Sequence, residues 1–191
     1  MKALEEKIVK EGSVIGTEIV KVDSFLNHQI DSAFLAEMGS EFARLFAGKG
    51  INKVITVESS GIAIACAAAQ AMGGLPVVFA KKTKPSTLTE GAYTAEVRSF
   101  TKGTVSTIMI SDRFLGPEDR VLIIDDFLAT GEASLGLTAL AEKAGAKVVG
   151  VGIAIEKEHQ GGGAKLRQLG LELHSLAVIK SIKDGKIEFS N

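Results

Sequence analysis

Four largely apolar runs of four to eight residues, in which Thr56 is the one polar residue, recur along the chain. They cover residues 54–57, 77–80, 121–124 and 148–155. A run without polar alternation is typical of a strand that is covered on both faces of a sheet. The four runs therefore predict a buried, mostly parallel sheet.

Between these runs, apolar residues recur at intervals of three and four, which predicts amphipathic helices. The predicted helices lie over residues 4–9, after Asp31, over 61–72 and over 131–144. Asp31 stands where an N-cap residue is expected. Alternation of strand and helix predicts an α/β fold with a central parallel sheet flanked by helices on both faces.

Two segments depart from this alternation. The stretch VIGTEIVKV, residues 14–22, resembles a strand ahead of the main sheet. The stretch 83–116 is rich in Ser, Thr and Gly and contains a β-like segment near 105–110. We expect the irregular part, about 83–110, to cover the carboxyl edge of the sheet, where ligands of such folds bind.

The run 121–124 is followed directly by two acids, Asp125 and Asp126. Because neighbouring side chains of a strand point to opposite faces, the two carboxylates cannot serve one core contact. Two solvated loop acids, or a helix cap, are the alternative interpretation. Carboxylates in this position could also accept hydrogen bonds from sugar hydroxyls.

A glycine-containing turn, Ala129-Thr130-Gly131, then leads into a predicted helix through Glu132 and Ala133. Gly131 could serve only a tight turn. However, the free backbone N–H groups at a helix start form an anion site. A phosphate there, beside the two acids, would belong to a sugar phosphate.

A second loop, Glu58-Ser59-Ser60-Gly61, repeats this design of strand end, hydroxyls, glycine and helix, although a simple helix cap explains it equally well. Three lysines, Lys81, Lys82 and Lys84, follow the run 77–80 and could supply positive charge for a second anionic group, although a run of lysines is usually only solvated surface. Parallel strands bring the loops 58–61, 125–131 and 156–163 to one edge of the sheet.

Composition narrows the class of protein. The 191 residues are 46% hydrophobic and 24% charged, with a formal net charge of −1, which suits one globular domain and argues against a nucleic-acid binder. No apolar stretch approaches the ~20 residues of a membrane-spanning helix, so no membrane partner is expected. The single cysteine, Cys66, lies among alanines and is predicted to be buried, which fits a reducing cytoplasm.

The pattern of four apolar residues, two acids, two variable residues and A-T-G resembles the phosphoribosyl-diphosphate signature of the type I phosphoribosyltransferases. The resemblance extends over the chain and is closest to the xanthine-specific purine branch. It is carried, in order, by KVDSFLNHQID (21–31), ESSGIA (58–63), PVVFAKK (76–82), SFTK (99–102), VLIIDDFLATGEA (121–133) and IEKEHQGG (155–162).

The resemblance implies a fold and roles for these residues. It implies the type I phosphoribosyltransferase fold, with 1–191 as one domain, a small hood from about 1–30 and 156–191, and a flexible active-site loop over about 83–110. Phosphate would bind at 129–133, and ribose hydroxyls at Asp125 and Asp126. The diphosphate would lie near residues 58–61 and Lys81.

The resemblance also implies that purine N9 displaces diphosphate from C1 with inversion. No side-chain nucleophile is needed, so catalysis would come from positioning and charge stabilisation. Mg²⁺ would bind mainly through the substrate, without a dedicated protein metal site. A cytoplasmic homodimer is expected.

At one position the chain departs from the family pattern. Many members carry a second glycine and a Ser or Thr where this chain has Glu132 and Ala133. The phosphate therefore loses one hydroxyl donor, and the Glu132 side chain must point away from it. We interpret the change as a mark of the xanthine-specific branch.

The same resemblance places Val20, Asn27 and Lys157 at the purine. Lys157 carries donors only, which suits a 6-oxo group and opposes a 6-amino group. Asn27 could serve a 2-oxo or a 2-amino group, so the preference for xanthine over guanine rests on the resemblance. Adenine or hypoxanthine-guanine transferases, and a non-catalytic regulator that senses phosphoribosyl diphosphate, are the alternatives.

Overall fold

A computed structural model of the chain describes residues 1–16, 18–83, 91–98, 105–183 and 185–190. The helices are α1 (Lys2–Glu11), α2 (Ser32–Leu45), α3 (Gly61–Ala71), α4 (Glu132–Lys143) and α5 (Gly162–Gln168). The strands are β1 (Ser13–Ile15), β2 (Ile19–Lys21), β3 (Lys53–Val57), β4 (Val77–Ala80), β5 (Ala92–Arg98), β6 (Val105–Ser111), β7 (Arg120–Leu128), β8 (Lys147–Lys157), β9 (Leu173–Lys183) and β10 (Lys186–Phe189).

The central sheet has the strand order β10-β9-β8-β7-β3-β4. All its pairs are parallel except β10 with β9. The four apolar runs form β3, β4, β7 and β8, so the predicted mostly parallel sheet is confirmed. β9, which contains the apolar stretch 176–179 that the sequence analysis did not single out, and β10 extend the sheet beyond β8.

Two hydrophobic clusters cover the two faces of the sheet. One cluster joins the sheet to α1, α2 and α3 through residues such as Leu4, Phe42 and Ile64, all fully buried. The other joins it to α4, α5 and the β5–β6 hairpin through residues such as Leu137 and Leu166. Helices therefore flank both faces, as the alternating pattern predicted.

The helix boundaries agree with the local sequence signals. Asp31 caps α2, because its Oδ1 accepts a hydrogen bond from the Phe34 N–H at 3.1 Å. Cys66 is exposed on α3, so its predicted burial was wrong. The apolar contacts of α3 involve other positions, including Ala65 and Ala68.

The single strand predicted over residues 14–22 was also wrong. β1 and β2 instead form a short antiparallel hairpin. Gly16 makes this turn with φ of +63°, a backbone conformation that glycine adopts without strain. A π-helical turn, Asp23–Asn27, follows β2.

These N-terminal elements lie against the C-terminal part of the chain. The Met1 amino group donates to the Leu176 carbonyl, and Leu4 and Val20 share a hydrophobic cluster with Ile179. This packing is the arrangement that the expected hood requires, and the division into hood and core stays a prediction.

β5 and β6 form an antiparallel hairpin, which accounts for the predicted β-like segment near 105–110. A bridge between Lys81 and Met109 joins it to the end of β4. The hairpin packs on α4 so closely that a Cβ at Gly136 would lie 2.5 Å from Val97 Cγ2. The remaining parts of the expected 83–110 loop, 84–90 and 99–104, lie outside the described residues.

Within the described part of the chain, no helix is both long and apolar enough to cross a membrane.

Candidate active site

A cavity of about 870 Å³ opens at the carboxyl ends of β3, β7 and β8. Its lining includes residues 58–61, the continuous stretch 125–134, Lys157 and Gln160. The three loops expected at one edge of the sheet are therefore brought together. This edge is where ligands bind in open α/β sheets.

Residues 129–133 form the turn from β7 into α4. Gly131 occupies the N-cap position with φ of +87° and offers no side-chain cap. The Leu135 N–H donates to the Gly131 carbonyl at 2.9 Å. The backbone N–H groups of residues 132–134 lie in the first turn of α4, where N–H groups have no intrahelical acceptors. Together with the turn they form a cradle suited to a phosphate.

The cradle (residues 129–133) is supported from behind by Gly162, the first residue of α5. The Gly162 N–H donates to the Ala129 carbonyl at 3.0 Å. A Cβ on Gly162 would lie 2.6 Å from the Gly131 nitrogen, and one on Gly131 would lie 3.3 Å from the Gly162 Cα. Two glycines thus allow the backbones of the two loops to touch.

Asp125 and Asp126 point in different directions, as strand alternation predicted, because β7 continues to Leu128 and includes both acids. Asp125 is buried, with 4% of its surface exposed. Asp126 is half-buried, and its Oδ2 accepts a hydrogen bond from Asn27 Nδ2 at 2.8 Å. The two acids are therefore not equivalent.

The environment of Asp125 disfavours its charge. Burial raises its pKa well above the usual range, and the neighbouring Asp126 carboxylate adds to the shift, while the Lys82 charge opposes it. Asp125 Oδ1 accepts from the Asp126 N–H at 3.0 Å. A Cβ on Gly61 would lie 2.9 Å from the same oxygen and 2.3 Å from Thr56 Oγ1, so the carboxyl group packs against the start of α3.

The loop 58–61 lies beside the acids, with Ser60 at the N-cap position of α3. Glu58 Oε1 accepts a hydrogen bond from the Lys82 backbone N–H at 2.6 Å, which ties the loop to the end of β4. Ser59 is exposed, and Ser60 is half-buried. All four residues of this loop line the cavity.

The two adjacent lysines after β4 differ in direction. Lys82 lines the cavity, whereas Lys81 does not belong to its described lining. Lys81 Nζ lies 5.8 Å from the centroid of the Phe79 ring. Of these two lysines, Lys82 is therefore the one that lines the cavity and whose charge acts on Asp125.

Lys157 ends β8 and lines the same cavity as the cradle. Its Nζ donates to the Glu18 carbonyl at 2.7 Å and lies 5.6 Å from the centroid of the Phe127 ring. Partial burial lowers the pKa of Lys157, and the nearby Glu18 charge offsets part of this effect. The donors of Lys157 are thus held at the cavity by the β1–β2 hairpin.

The other two residues expected at the purine occupy different environments. Val20 is buried, with 6% exposed, and belongs to a hydrophobic cluster beneath the site. Asn27 is exposed and bonds to Asp126. The structure therefore brings Asn27 to the acid pair, and Val20 supports the hairpin whose residues Glu18 and Ile19 line the cavity.

Several lining residues were missed by sequence reasoning. They are Glu18, Ile19, Val97, Arg98, Ser106, Ile108, Phe127, Leu128, Ser134 and Gln160. Phe127, Leu128 and Gln160 lie inside segments already recognised, so position alone could have found them. The lining residues from β5 and β6 lie within the segment 83–110 that was expected to cover this edge, but the sequence did not single them out, because their approach depends on how the hairpin packs on α4.

Within the described residues, no group of three or more His, Cys, Asp or Glu side chains is arranged to hold a metal ion. Asp125 and Asp126 nevertheless offer oxygen ligands beside the cradle. Mg²⁺ commonly binds through one or two carboxylates plus substrate phosphates. The pair therefore fits an Mg²⁺ ion that is held mainly by a diphosphate substrate.

Comparison with known proteins agrees with this geometry. The family described as "Phosphoribosyl transferase domain" matches residues 22–165. A xanthine phosphoribosyltransferase from Ruminiclostridium cellulolyticum is 53% identical over 100% of both chains. One from Moorella thermoacetica is 53% identical over 100% of this chain and 97% of its own.

A solved structure extends the comparison to the fold. The adenine phosphoribosyltransferase of Trypanosoma brucei, in complex with AMP, pyrophosphate and ribose-5-phosphate, superposes with a TM-score of 0.78. The match covers 95% of this chain and 81% of that chain, at 16% identity. At this identity the likeness shows a shared fold and carries nothing about the base.

Proposed function

The chain belongs to the phosphoribosyl transferase domain family, and we propose that it converts xanthine and 5-phospho-α-D-ribose 1-diphosphate into xanthosine 5′-monophosphate and diphosphate. Relatives that are named xanthine phosphoribosyltransferases and span the whole chain at 53% identity support this substrate pair. The protein is accordingly a pentosyltransferase of purine salvage.

One observation carries the proposal. The free N–H groups of the cradle and the acid pair Asp125–Asp126 line the same cavity, which Lys157 also lines. An anion site, sugar-hydroxyl acceptors and a donor for an oxo group are the three things a phosphoribosyl donor and an oxopurine require.

For the sugar, residues 129–133 would hold the 5-phosphate through backbone N–H groups and the Thr130 hydroxyl. Asp126 is partly exposed and already accepts a hydrogen bond from an amide, so it is suited to a ribose hydroxyl. Asp125 is buried and would act next to it, toward the second hydroxyl or an Mg²⁺ ion. Bound with the substrate, Mg²⁺ would neutralise part of the diphosphate charge.

For the diphosphate, the loop 58–61 would supply hydroxyl and N–H donors, and Lys82 would supply positive charge. Lys82 lines the cavity together with all four loop residues. The resemblance places Lys81 near the diphosphate as well. Lys81 does not belong to the described lining, and its backbone forms a bridge with Met109.

For the base, Lys157 would donate to the 6-oxo group, and Asn27 would read the 2-position. The bond from N9 to C1 forms as the bond from C1 to the diphosphate oxygen breaks. The bonding electron pair leaves with the diphosphate, and the proton that the base loses passes to the departing diphosphate or to water. No side-chain nucleophile takes part. The protein contributes by holding the two reactants in line and by stabilising the departing charge.

A panel of bases tests the proposal. Xanthine, guanine, hypoxanthine and adenine are each supplied with phosphoribosyl diphosphate and Mg²⁺, and diphosphate release is measured. The expected result is the highest kcat/KM for xanthine and the lowest for adenine. Preference for adenine or for hypoxanthine and guanine would assign another salvage reaction. Binding without turnover of any base would indicate a regulator.

A cytoplasmic homodimer completes the proposal. The family resemblance supports it, and apolar side chains on the N-terminal elements offer a surface: Val9, Ile15 and Ile30 are 67%, 52% and 47% exposed. Light scattering on the purified chain measures the oligomer directly. A monomer at assay concentrations would contradict the dimer without affecting the assigned reaction.

A further inference from the structure

Glu132 places a negative charge in the wall of the cradle. It is the first residue of α4, whose first turn lines the cavity, and its side chain is 35% exposed. A carboxylate in the first turn of a helix interacts favourably with the helix dipole, but it repels a phosphate that is bound at the same end. Something must offset this repulsion if the site is to bind a sugar phosphate well.

Lys165, on α5, lies close enough to do so. Its Nζ is 3.7 Å from Glu132 Oε1 and donates to the Thr130 carbonyl at 3.2 Å. One cation therefore contacts both the carboxylate and the backbone of the cradle. These contacts place the Glu132 carboxylate on the α5 side of the turn.

The backbone that carries Lys165 is firmly attached to the sheet. Arg167 makes a bidentate pair with Glu156, with both N···O distances 3.1 Å, and Glu156 is 1% exposed. Ser175 Oγ donates to the same carboxylate at 2.6 Å. Gly163 lies so close that a Cβ there would be 1.8 Å from Glu156 Oε1. A helix anchored in this way limits the conformations open to Lys165.

We propose that Lys165 is a positioning residue, which holds the Glu132 carboxylate away from the cradle and balances its charge, so that the pair sets the affinity for the sugar 5-phosphate. The proposal rests on the proposed function, because that function places a phosphate in the cradle. It also explains how the chain uses Glu132 where many family members have glycine.

A double-mutant cycle tests the proposal through binding of ribose 5-phosphate, measured by calorimetry at low salt. Lys165→Met should weaken binding about five- to tenfold, the scale of one unscreened charge several ångströms from a dianion. Glu132→Gln alone should leave binding unchanged or tighter. The double variant should bind with an affinity within about twofold of that of the Glu132→Gln variant, because no carboxylate charge then remains for Lys165 to balance.

Two further variants separate charge from other effects. Lys165→Arg should retain wild-type affinity, and Lys165→Gln, which can still donate to the Thr130 carbonyl, should bind as weakly as Lys165→Met. Lys180→Met is the matched control, since Lys180 pairs with Glu188 at 3.1 Å on β9 and β10. It removes an equal charge away from the cradle and should change affinity less than twofold.

Kinetics give an independent readout. Lys165→Met should raise KM for phosphoribosyl diphosphate with little change in kcat, the signature of lost uniform binding. The proposal is overturned if the loss persists undiminished in the Glu132→Gln background, if Lys180→Met loses as much affinity, or if the wild type does not bind ribose 5-phosphate. A wild type that binds ribose 5-phosphate but does not transfer phosphoribose to xanthine would refute the proposed function. The double-mutant cycle would still test the role of Lys165, because it measures binding and not turnover.

Discussion

The two sides of the cavity, the side proposed to bind the phosphate and the side proposed to bind the base, are built in different ways. The phosphate side is one continuous stretch, 129–133, and its donors are backbone N–H groups at a helix start. The base side is assembled from side chains on separate elements: Lys157 Nζ reaches the Glu18 carbonyl across 139 positions of sequence, and Asn27 reaches Asp126 across 99. Backbone shape defines the first side, and tertiary contacts define the second.

This difference has a chemical consequence. A backbone donor remains after most substitutions, so the phosphate side is sensitive mainly to changes that alter the path of the chain, above all at Gly131 and Gly162. A side-chain donor disappears with one substitution. Base preference can therefore change through single residues while phosphate binding is retained.

The acid pair lies where the two sides meet, and removing its charge should have the largest effect. We expect Asp125→Asn with Asp126→Asn to lower kcat by at least about a hundredfold, the scale for losing a positioned electrostatic contact. Initial rates of diphosphate release measure this loss. Circular dichroism should show an unchanged fold. Near-normal turnover in the folded double variant would show that the two acids do not take part in the reaction.

Gly131→Val tests the phosphate side. A valine there must adopt φ of +87° and would place its Cβ 3.3 Å from the Gly162 Cα. We expect the affinity for phosphoribosyl diphosphate to fall by roughly a hundredfold and that for xanthine to change far less. Calorimetric titration of each substrate measures the two effects separately.

Gly170→Val is the matched control for backbone strain. Gly170 has φ of +75°, and a Cβ there would meet no heavy atom within 4 Å. It should lower the melting temperature without altering either affinity. If both valine variants weaken both substrates equally, strain alone explains the result and the turn is not the cradle.

Asn27→Ala tests the base side. Xanthine differs from hypoxanthine by its 2-oxo group and the adjacent N–H. Leaving a buried polar partner unmatched costs about 1–3 kcal/mol, or roughly tenfold to a hundredfold in kcat/KM. We expect xanthine to suffer this loss and hypoxanthine to lose much less, so the ratio of the two specificity constants is the quantity to measure.

The hydrogen bond from Asn27 to Asp126 sharpens this test. If Asn27 acts only by orienting Asp126, both bases should lose the same factor and the ratio should stay unchanged. That outcome would assign Asn27 to the ribose side and leave the 2-position to another residue.

The smallest expected effect concerns stability. Burial raises the pKa of Asp125 in the folded state, so the folded protein binds more protons than the unfolded chain between the two pKa values. The stability is therefore fully present below the unfolded pKa and falls as pH rises through the folded pKa. Asp125→Asn should remove this decline and raise the melting temperature at neutral pH, by about 2–4 °C per kcal/mol gained.

Thermal unfolding of the wild type and Asp125→Asn from pH 4 to pH 8 measures this difference. Asp126→Asn is the informative comparison: it takes away the neighbouring charge but leaves Asp125 buried, so the decline in stability with pH should be reduced only in part. Parallel curves for the wild type and Asp125→Asn would show that Asp125 is ionised in the folded protein.

Local patterns in the chain were enough to predict much of this molecule. Largely apolar runs identify β3, β4, β7 and β8, because a strand covered on both faces carries few polar residues. The cradle could also be read directly, since all its donors are consecutive residues. The directions of Asp125 and Asp126 follow from strand alternation alone.

Features that join distant residues required the folded chain. The turn at Gly16, the exposure of Cys66 and the presence of Lys82 rather than Lys81 in the cavity lining depend on what packs beside each of them. The contacts of Lys157 with Glu18, of Asn27 with Asp126 and of Lys165 with Glu132 are each set by how two elements pack. Such contacts leave no periodicity in the sequence, because their energy comes from surfaces that meet only after folding.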